Sequence, residues 1–397
     1  MISIPDVVVI VIVASGLAAV CYSKGASPRN FWKFLRQKAA FVAGRGLPDF
    51  AQLTGFPHPN PVYGFSIAHA RPRPYRPFRW EYHQTMSLKN LEPDYWIELE
   101  STYRDRIAQR RRLYALHGKH VIDELPGSQA ASKELMEMVV QYLCLRYPQQ
   151  FEIDEWTLTF RNHILGSTVN LKTVHPLIFL LENVPEDFLI TQEDPGTGLY
   201  TLRAAVSTSA VGWNIGQKMG KPLHEIHGPV PYYKEKLAFS MDRQMPCNKP
   251  IQRGSWGLEI GEPLYLQTDE PEWSHRQHQN PDLPLSDIYI RVDWQTLRRL
   301  PKSSAIVFNF KALFTPVTDF RNEPFIPKLV LKVLLEGKKA IMEYKGTWSI
   351  EHKVIPALRE WAKEQEDKGW VPKDWQEKTL NEAPFYPGWE KHYPTPT

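Results

Sequence analysis

The chain has 397 residues, 42% of them hydrophobic and 23% charged, with a formal net charge of +4. That length can bury a sizeable core and allows two or three domains, and the composition excludes a mainly disordered chain. So small a net charge excludes a strongly basic nucleic-acid binder, and three scattered cysteines, Cys21, Cys144 and Cys247, exclude a disulfide framework and a four-cysteine metal or iron–sulfur site.

Residues 7–22, VVVIVIVASGLAAVCY, carry no charge and reach the short end of membrane-spanning length. Only Asp6 is charged before them, whereas Lys24, Arg29, Lys33, Arg36 and Lys38 follow. A cleaved signal peptide would want a positive leading segment. The pattern therefore predicts an uncleaved N-terminal anchor over 1–23, with the body facing the cytosol, most simply at the endoplasmic reticulum. Residues 24–46 mix Phe31, Trp32 and Phe34 with basic side chains. They read as a helix lying on an anionic leaflet or as a linker helix packed on the body. Proline-rich stretches at 56–65 and 70–80 should run as extended connectors. The main domain is expected over 47–345, and a C-terminal helix with a Pro- and Trp-rich tail over 346–397.

Residues 92–118 open with an acidic turn and end at a glycine, which predicts a helix, and 132–148 predict a second one stopped by Pro148. The run Arg110, Arg111, Arg112 reads as a solvated helix face. Short strands between turn residues follow at 156–160, 188–192, 198–207, 257–268, 287–294 and 304–310. Helical patterns at 231–245 and 326–340 interrupt them. Strands in groups, without regular βαβ alternation, predict an α+β fold with a mainly antiparallel sheet flanked by helices.

The stretch KPLHEIHGPVP, 221–231, carries the most pointed chemistry. Pro222 suits the first turn of a short helix and Pro229 ends it. His224 and His227 would then project from neighbouring positions on one side. Such a pair can share a metal, can supply one ligand while the other stays outside, or can serve as structural hydrogen bonders. The HExxH spacing of zinc proteases is absent, as are P-loop, GxGxxG and GxSxG signatures. In DIYIRVDW, alternation puts Ile288, Ile290 and Val292 on one face and Tyr289, Arg291 and Asp293 on the other. Arg291 and Asp293 either pair inside a pocket or meet water. His83 follows the proline-rich segment, and Cys247 is either a thiolate ligand or a small buried residue.

Taken in order, FRWEYHQTMSL (78–88), DYWIELESTYRDRIAQRR (94–111), ELPGSQAASKELMEMVVQYLCLRYP (124–148), LHEIHGPVP (223–231) and IRVDWQTLRRLPKSSAIVFNF (290–310) resemble the haem-dependent oxidative N-demethylase family. That family is known from bacterial dimethylamine monooxygenase α-subunits and has many fungal relatives. The resemblance implies a PAS-like α+β domain that binds haem b and acts as a monooxygenase on a small amine-like substrate with O₂. Electrons would come from a separate NAD(P)H-dependent reductase, the redox partner. A tailoring role in fungal secondary metabolism is compatible with it.

By the same resemblance the IHxPVP motif falls on Ile226, His227, Pro229, Val230 and Pro231, which makes His227 the axial ligand of haem iron. His224 would flank a propionate, with His83 an alternative haem contact. Arg291, Asp293 and Lys311 would form the catalytic, distal set. Asp293 stands where the family has Glu, Trp294 and Lys311 where it has Arg, and Leu313 where it has Tyr. A shorter carboxylate and a lost hydroxyl imply a substrate other than dimethylamine, larger or more lipophilic. Two rival functions stay open: a haem-PAS sensor of gas or redox state, and a haem-free scaffold.

Overall fold

The computed structural model describes residues 46–81, 88–232 and 245–393. The expected anchor, the basic segment after it, His83 and most of the helix read over 231–245 lie outside those residues. Among the described residues no helix is long and apolar enough to cross a membrane.

In chain order the helices are α1 (Phe50–Thr54), α2 (Tyr103–His117), α3 (Gln129–Arg146), α4 (Pro176–Asn183), α5 (Leu223–Ile226), α6 (Ile326–Glu336), α7 (Lys339–Lys345) and α8 (Trp348–Asp367). The strands are β1 (Lys89–Asn90), β2 (Ile122–Glu124), β3 (Phe151–Asp154), β4 (Thr159–Asn162), β5 (Ser167–Asn170), β6 (Asp187–Glu193), β7 (Tyr200–Val206), β8 (Ile251–Ile260), β9 (Ile288–Arg299) and β10 (Ile306–Pro316). Seven of them form one antiparallel sheet in the order β1-β8-β9-β10-β6-β7-β2, and β3-β4-β5 form a small second sheet. The fold is α+β with a mainly antiparallel sheet flanked by helices.

The period of two in β9 sets the two faces of the large sheet. Ile288, Ile290, Val292, Trp294, Thr296 and Arg298 are all buried, whereas Tyr289, Asp293, Gln295, Leu297 and Arg299 are half-exposed. On the buried face, Ile290, Val292 and Trp294 pack with Val330 of α6 and Leu358 of α8. Further across, Phe188, Ile190 and Val206 join Leu135 and Val139 of α3 and Phe179 of α4. Each such aliphatic side chain is worth roughly 1.5–3 kcal/mol when buried, so a one-residue slip would expose the whole row. The register is held by its core.

Helix α2 begins at Tyr103, well after the start expected near 92. Glu98 and Glu100 are drawn to partners on other elements: the backbone N–H of Arg73 donates to Glu98 at 3.1 Å, and Lys311 pairs with Glu100 at 3.2 Å. The indole N–H of Trp96 donates to Asn309 at 2.9 Å. These tertiary ties outweigh local helix preference. Arg110 departs from the expected solvated face too. It is 1% exposed, pairs with Asp187 at 2.6 Å and donates to the Leu181 carbonyl at 3.0 Å.

Candidate functional site

The histidine segment is hung on β7 by backbone bonds. Gly220 N–H donates to Leu202 O at 2.8 Å, and Leu202 N–H to Lys221 O at 3.1 Å. Pro222 then caps the four-residue α5, and His227 sits at its C-cap with φ −95° and ψ 8°. The Nδ1–H of His227 donates to the Leu223 carbonyl at 2.8 Å. A carbonyl can only accept, so the proton is on Nδ1 and the ring's lone pair is on Nε2. Burial pushes the His227 pKa down to about 4; the Leu223 bond opposes this, and the charges of Lys218 and Arg253 add to it. The ring is therefore a neutral, oriented imidazole at neutral pH, the form that binds metals.

His224 lies half-buried on the preceding turn of α5. Among the described residues no three His, Cys, Asp or Glu side chains gather as a metal site. An all-protein metal centre therefore finds too few ligands here, whereas haem iron, held by its own porphyrin, asks for only one. Burial raises the Cys247 thiol above its usual value, the wrong direction for a thiolate ligand.

Two cations accompany His227. Lys218 sits with Nζ 3.8 Å from the centroid of the Trp213 ring, and among the described residues it forms no ion pair. Burial pushes its pKa down to about 8. Arg253 is on β8, on the half-exposed sheet face. A small apolar cluster joins the histidine segment to that face, with Ile226, Trp213 and Ile215 against Leu189, Phe308 and Phe310.

The same face carries Arg291 and Asp293. Arg291 Nε donates to Asp293 Oδ1 at 2.9 Å, Nη1 to the Pro263 carbonyl at 3.0 Å and Nη2 to the Ser209 carbonyl. The guanidinium side chain is 7% exposed and the carboxylate 28%. Asp293 stands between Ser255 and Ala312 on the neighbouring strands, and Arg291 has Gly257 on one side. Lys345 of α7 donates to the Trp256 carbonyl; burial lowers its pKa to about 7, with Arg253 adding and Asp293 opposing. The Arg253 charge is felt by His227, Tyr344 and Lys345, and the Asp293 charge by Tyr344 and Lys345. Arg253 is thus the charge common to the histidine and to the residues near Asp293.

Lys311 does not belong to it. It is directly opposite Trp294, so it leaves the sheet by the other face. There it pairs with Glu100 at 3.2 Å and donates to the Glu98 carbonyl at 2.8 Å. The expected trio is divided by the period of the strand: Arg291 and Asp293 together, Lys311 behind them. His83 lies outside the described residues. Sequence reasoning missed Lys218, Arg253, Tyr344 and Lys345. The first sits in an irregular loop, and β8 begins at Ile251, before the strand expected from 257, which hid the alternation that places Arg253.

His227 thus has an oriented imidazole, with the charges of Lys218 and Arg253 near it and the apolar cluster of Ile226, Trp213 and Phe308 beside it. Residues 87–355 match the family described as haem-dependent oxidative N-demethylase, alpha subunit-like, and the chain belongs to that family. The family's name carries haem dependence and oxidoreductase activity of the N-demethylase kind.

Proposed function

We propose that this chain is a haem b protein that oxidises an amine with O₂, and that His227 Nε2 is its axial ligand. The observation that carries the reading is the Nδ1–H bond from His227 to Leu223, beside a largely buried Lys218 without a carboxylate partner among the described residues. The residues present fit the group. The imidazole is neutral and fixed, Lys218 and Arg253 match the two propionates in charge, and Phe308 offers partly exposed aromatic surface on the half-exposed face. We read the sheet with this open face as PAS-like.

When bound, haem would supply the iron on which dioxygen is activated. The chain's own residues do the rest. Asp293, accessible and held by Arg291, would take the proton from a protonated amine, since the nitrogen must be neutral before its methyl group is oxidised. Arg291, already committed to three acceptors, would position that carboxylate. In net terms O₂ gives one atom to the N-methyl carbon and one to water, with two electrons and two protons from a separate reductase. The carbinolamine then falls apart to the demethylated amine and formaldehyde.

The test is the visible spectrum of the full-length protein expressed with haem precursor, oxidised, reduced and reduced with carbon monoxide. A Soret band with imidazole-type shifts, lost in His227→Ala and partly restored by added imidazole, is expected. A protein that takes up no haem on reconstitution would overturn the reading.

A further inference from the structure

A cavity lies on the other side of the sheet. It encloses about 310 Å³ and is lined by Arg73, Tyr95, Glu98, Arg146 and Tyr147, with Trp389 and Tyr393 from the C-terminal segment. Its Glu98 is joined through its carbonyl to Lys311, whose side chain leaves the sheet away from Arg291 and Asp293. This cavity is therefore separate from the histidine site, and nothing in the proposed chemistry uses it.

The cavity's two arginines are only partly satisfied. Arg73 is 8% exposed, donates from Nε to Tyr75 at 3.0 Å and from Nη1 to both oxygens of Glu92 at 3.0 and 3.1 Å. Its Nη2 is buried and has no acceptor among the described residues. Arg146 is 6% exposed, pairs with Asp94 at 3.6 Å and donates from Nη1 to the Asn60 carbonyl at 2.6 Å, while its buried Nε has no acceptor among the described residues. Both guanidiniums lie against one ring, that of Tyr95, at 3.3 and 5.7 Å from its centroid. Arg71 is exposed at the rim and forms no ion pair among the described residues. A buried guanidinium N–H without an acceptor is costly to keep, and the two arginines that carry such groups both line this cavity.

We propose that this cavity binds a small organic carboxylate. Its two oxygens would take the spare N–H groups of Arg73 and Arg146, and its apolar body would lie against Tyr147, Trp389 and Tyr393. The volume is at the small end of ligand pockets, enough for a single-ring acid. Asp94 and Glu98 also line the cavity and disfavour a doubly charged phosphate.

The experiment is calorimetric titration of the full-length, haem-reconstituted protein with benzoate, its neutral analogue benzamide, and phenyl phosphate. Benzoate is expected to saturate one site per chain at a dissociation constant of about 1 mM or tighter. Benzamide should give no saturable heat and phenyl phosphate should bind more weakly. Arg146→Gln should weaken benzoate at least tenfold, roughly the loss of one charge-assisted hydrogen bond. Because that side chain also anchors Asn60, a second variant, Ala70→Phe, fills the rim while leaving both arginines in place. It should abolish benzoate binding with the circular dichroism and Soret spectra unchanged. Absence of saturable benzoate binding, equal binding of benzamide, tighter binding of phenyl phosphate, or benzoate binding that survives Ala70→Phe would each overturn the proposal.

Discussion

Arg291 and Lys311 lie on adjacent strands and leave the sheet by opposite faces. Asp293 faces Ala312 across the β9–β10 pairing and Trp294 faces Lys311, so a difference of one residue decides which side each cation serves. Lys311 neutralises Glu100, and both are buried, at 5% and 3% exposure. Lys311→Met leaves that buried carboxylate without its ion-pair partner. It should lower stability to urea by about 3–5 kcal/mol. The folded fraction should keep the wild-type haem spectrum. A shifted Soret band without loss of stability would put Lys311 on the haem face, against the register.

The carboxylates around Lys311 pull stability in opposite directions with pH. Glu186 is pushed up to about 7 by burial, partly offset by Lys311, whereas Glu100 falls to about 2, where burial is outweighed by Lys311 and by Thr102 hydrogen bonds. For Glu186 the folded value lies above the ordinary 4.5, so the folded chain holds the proton longer. Its contribution is fully present below 4.5 and is lost as pH rises to about 7. For Glu100 stability is present above 4.5 and is lost as pH falls toward 2. Glu186→Gln should therefore flatten the decline between pH 4.5 and 7 and stabilise the protein at pH 8, by up to about 3 kcal/mol. Chemical denaturation at a series of pH values reads this directly. An unchanged slope would mean that Glu186 ionises normally in the folded chain.

Much of this architecture is legible in the sequence, and the limits are physical. The alternation Ile288, Ile290, Val292 predicts the buried face of β9, and it also predicts the Arg291–Asp293 pair. The pattern at 326–336 predicts α6. Register between strands is a different matter, because it depends on how distant segments meet, and only the β9–β10 pairing puts Lys311 on the face opposite Arg291 and Asp293. Residues 96–102 carry helix-compatible side chains, yet Glu98 and Glu100 are claimed by Arg73 and Lys311. The cavity lined by Arg73 and Arg146 joins residues far apart in the chain, and no local motif announces it.

Retention of haem tests the cations beside His227. Lys218→Met and Arg253→Met each remove one charge-assisted partner for a propionate, worth about 1.5–3 kcal/mol. Each variant should lose haem to an apoglobin scavenger about ten- to a hundredfold faster. The carbon monoxide spectrum should stay that of an imidazole-ligated haem, since His227 is untouched. Loss rates equal to wild type in both variants would remove these cations from the haem site.

The division of labour between Asp293 and Arg291 is open to a double-mutant cycle. Asp293→Asn keeps the shape but cannot accept a proton at neutral pH. With an N-methylated amine, O₂ and a reductase, formaldehyde release should fall by about 10²–10⁴-fold while the haem spectrum is retained. Arg291→Lys loses the Nε bond to Asp293 and cannot also hold the Pro263 and Ser209 carbonyls, so it too should slow turnover, by a smaller factor. If Arg291 acts through Asp293, the double variant should be no slower than Asp293→Asn alone. Additive losses would instead give Arg291 its own contact with oxygen or substrate.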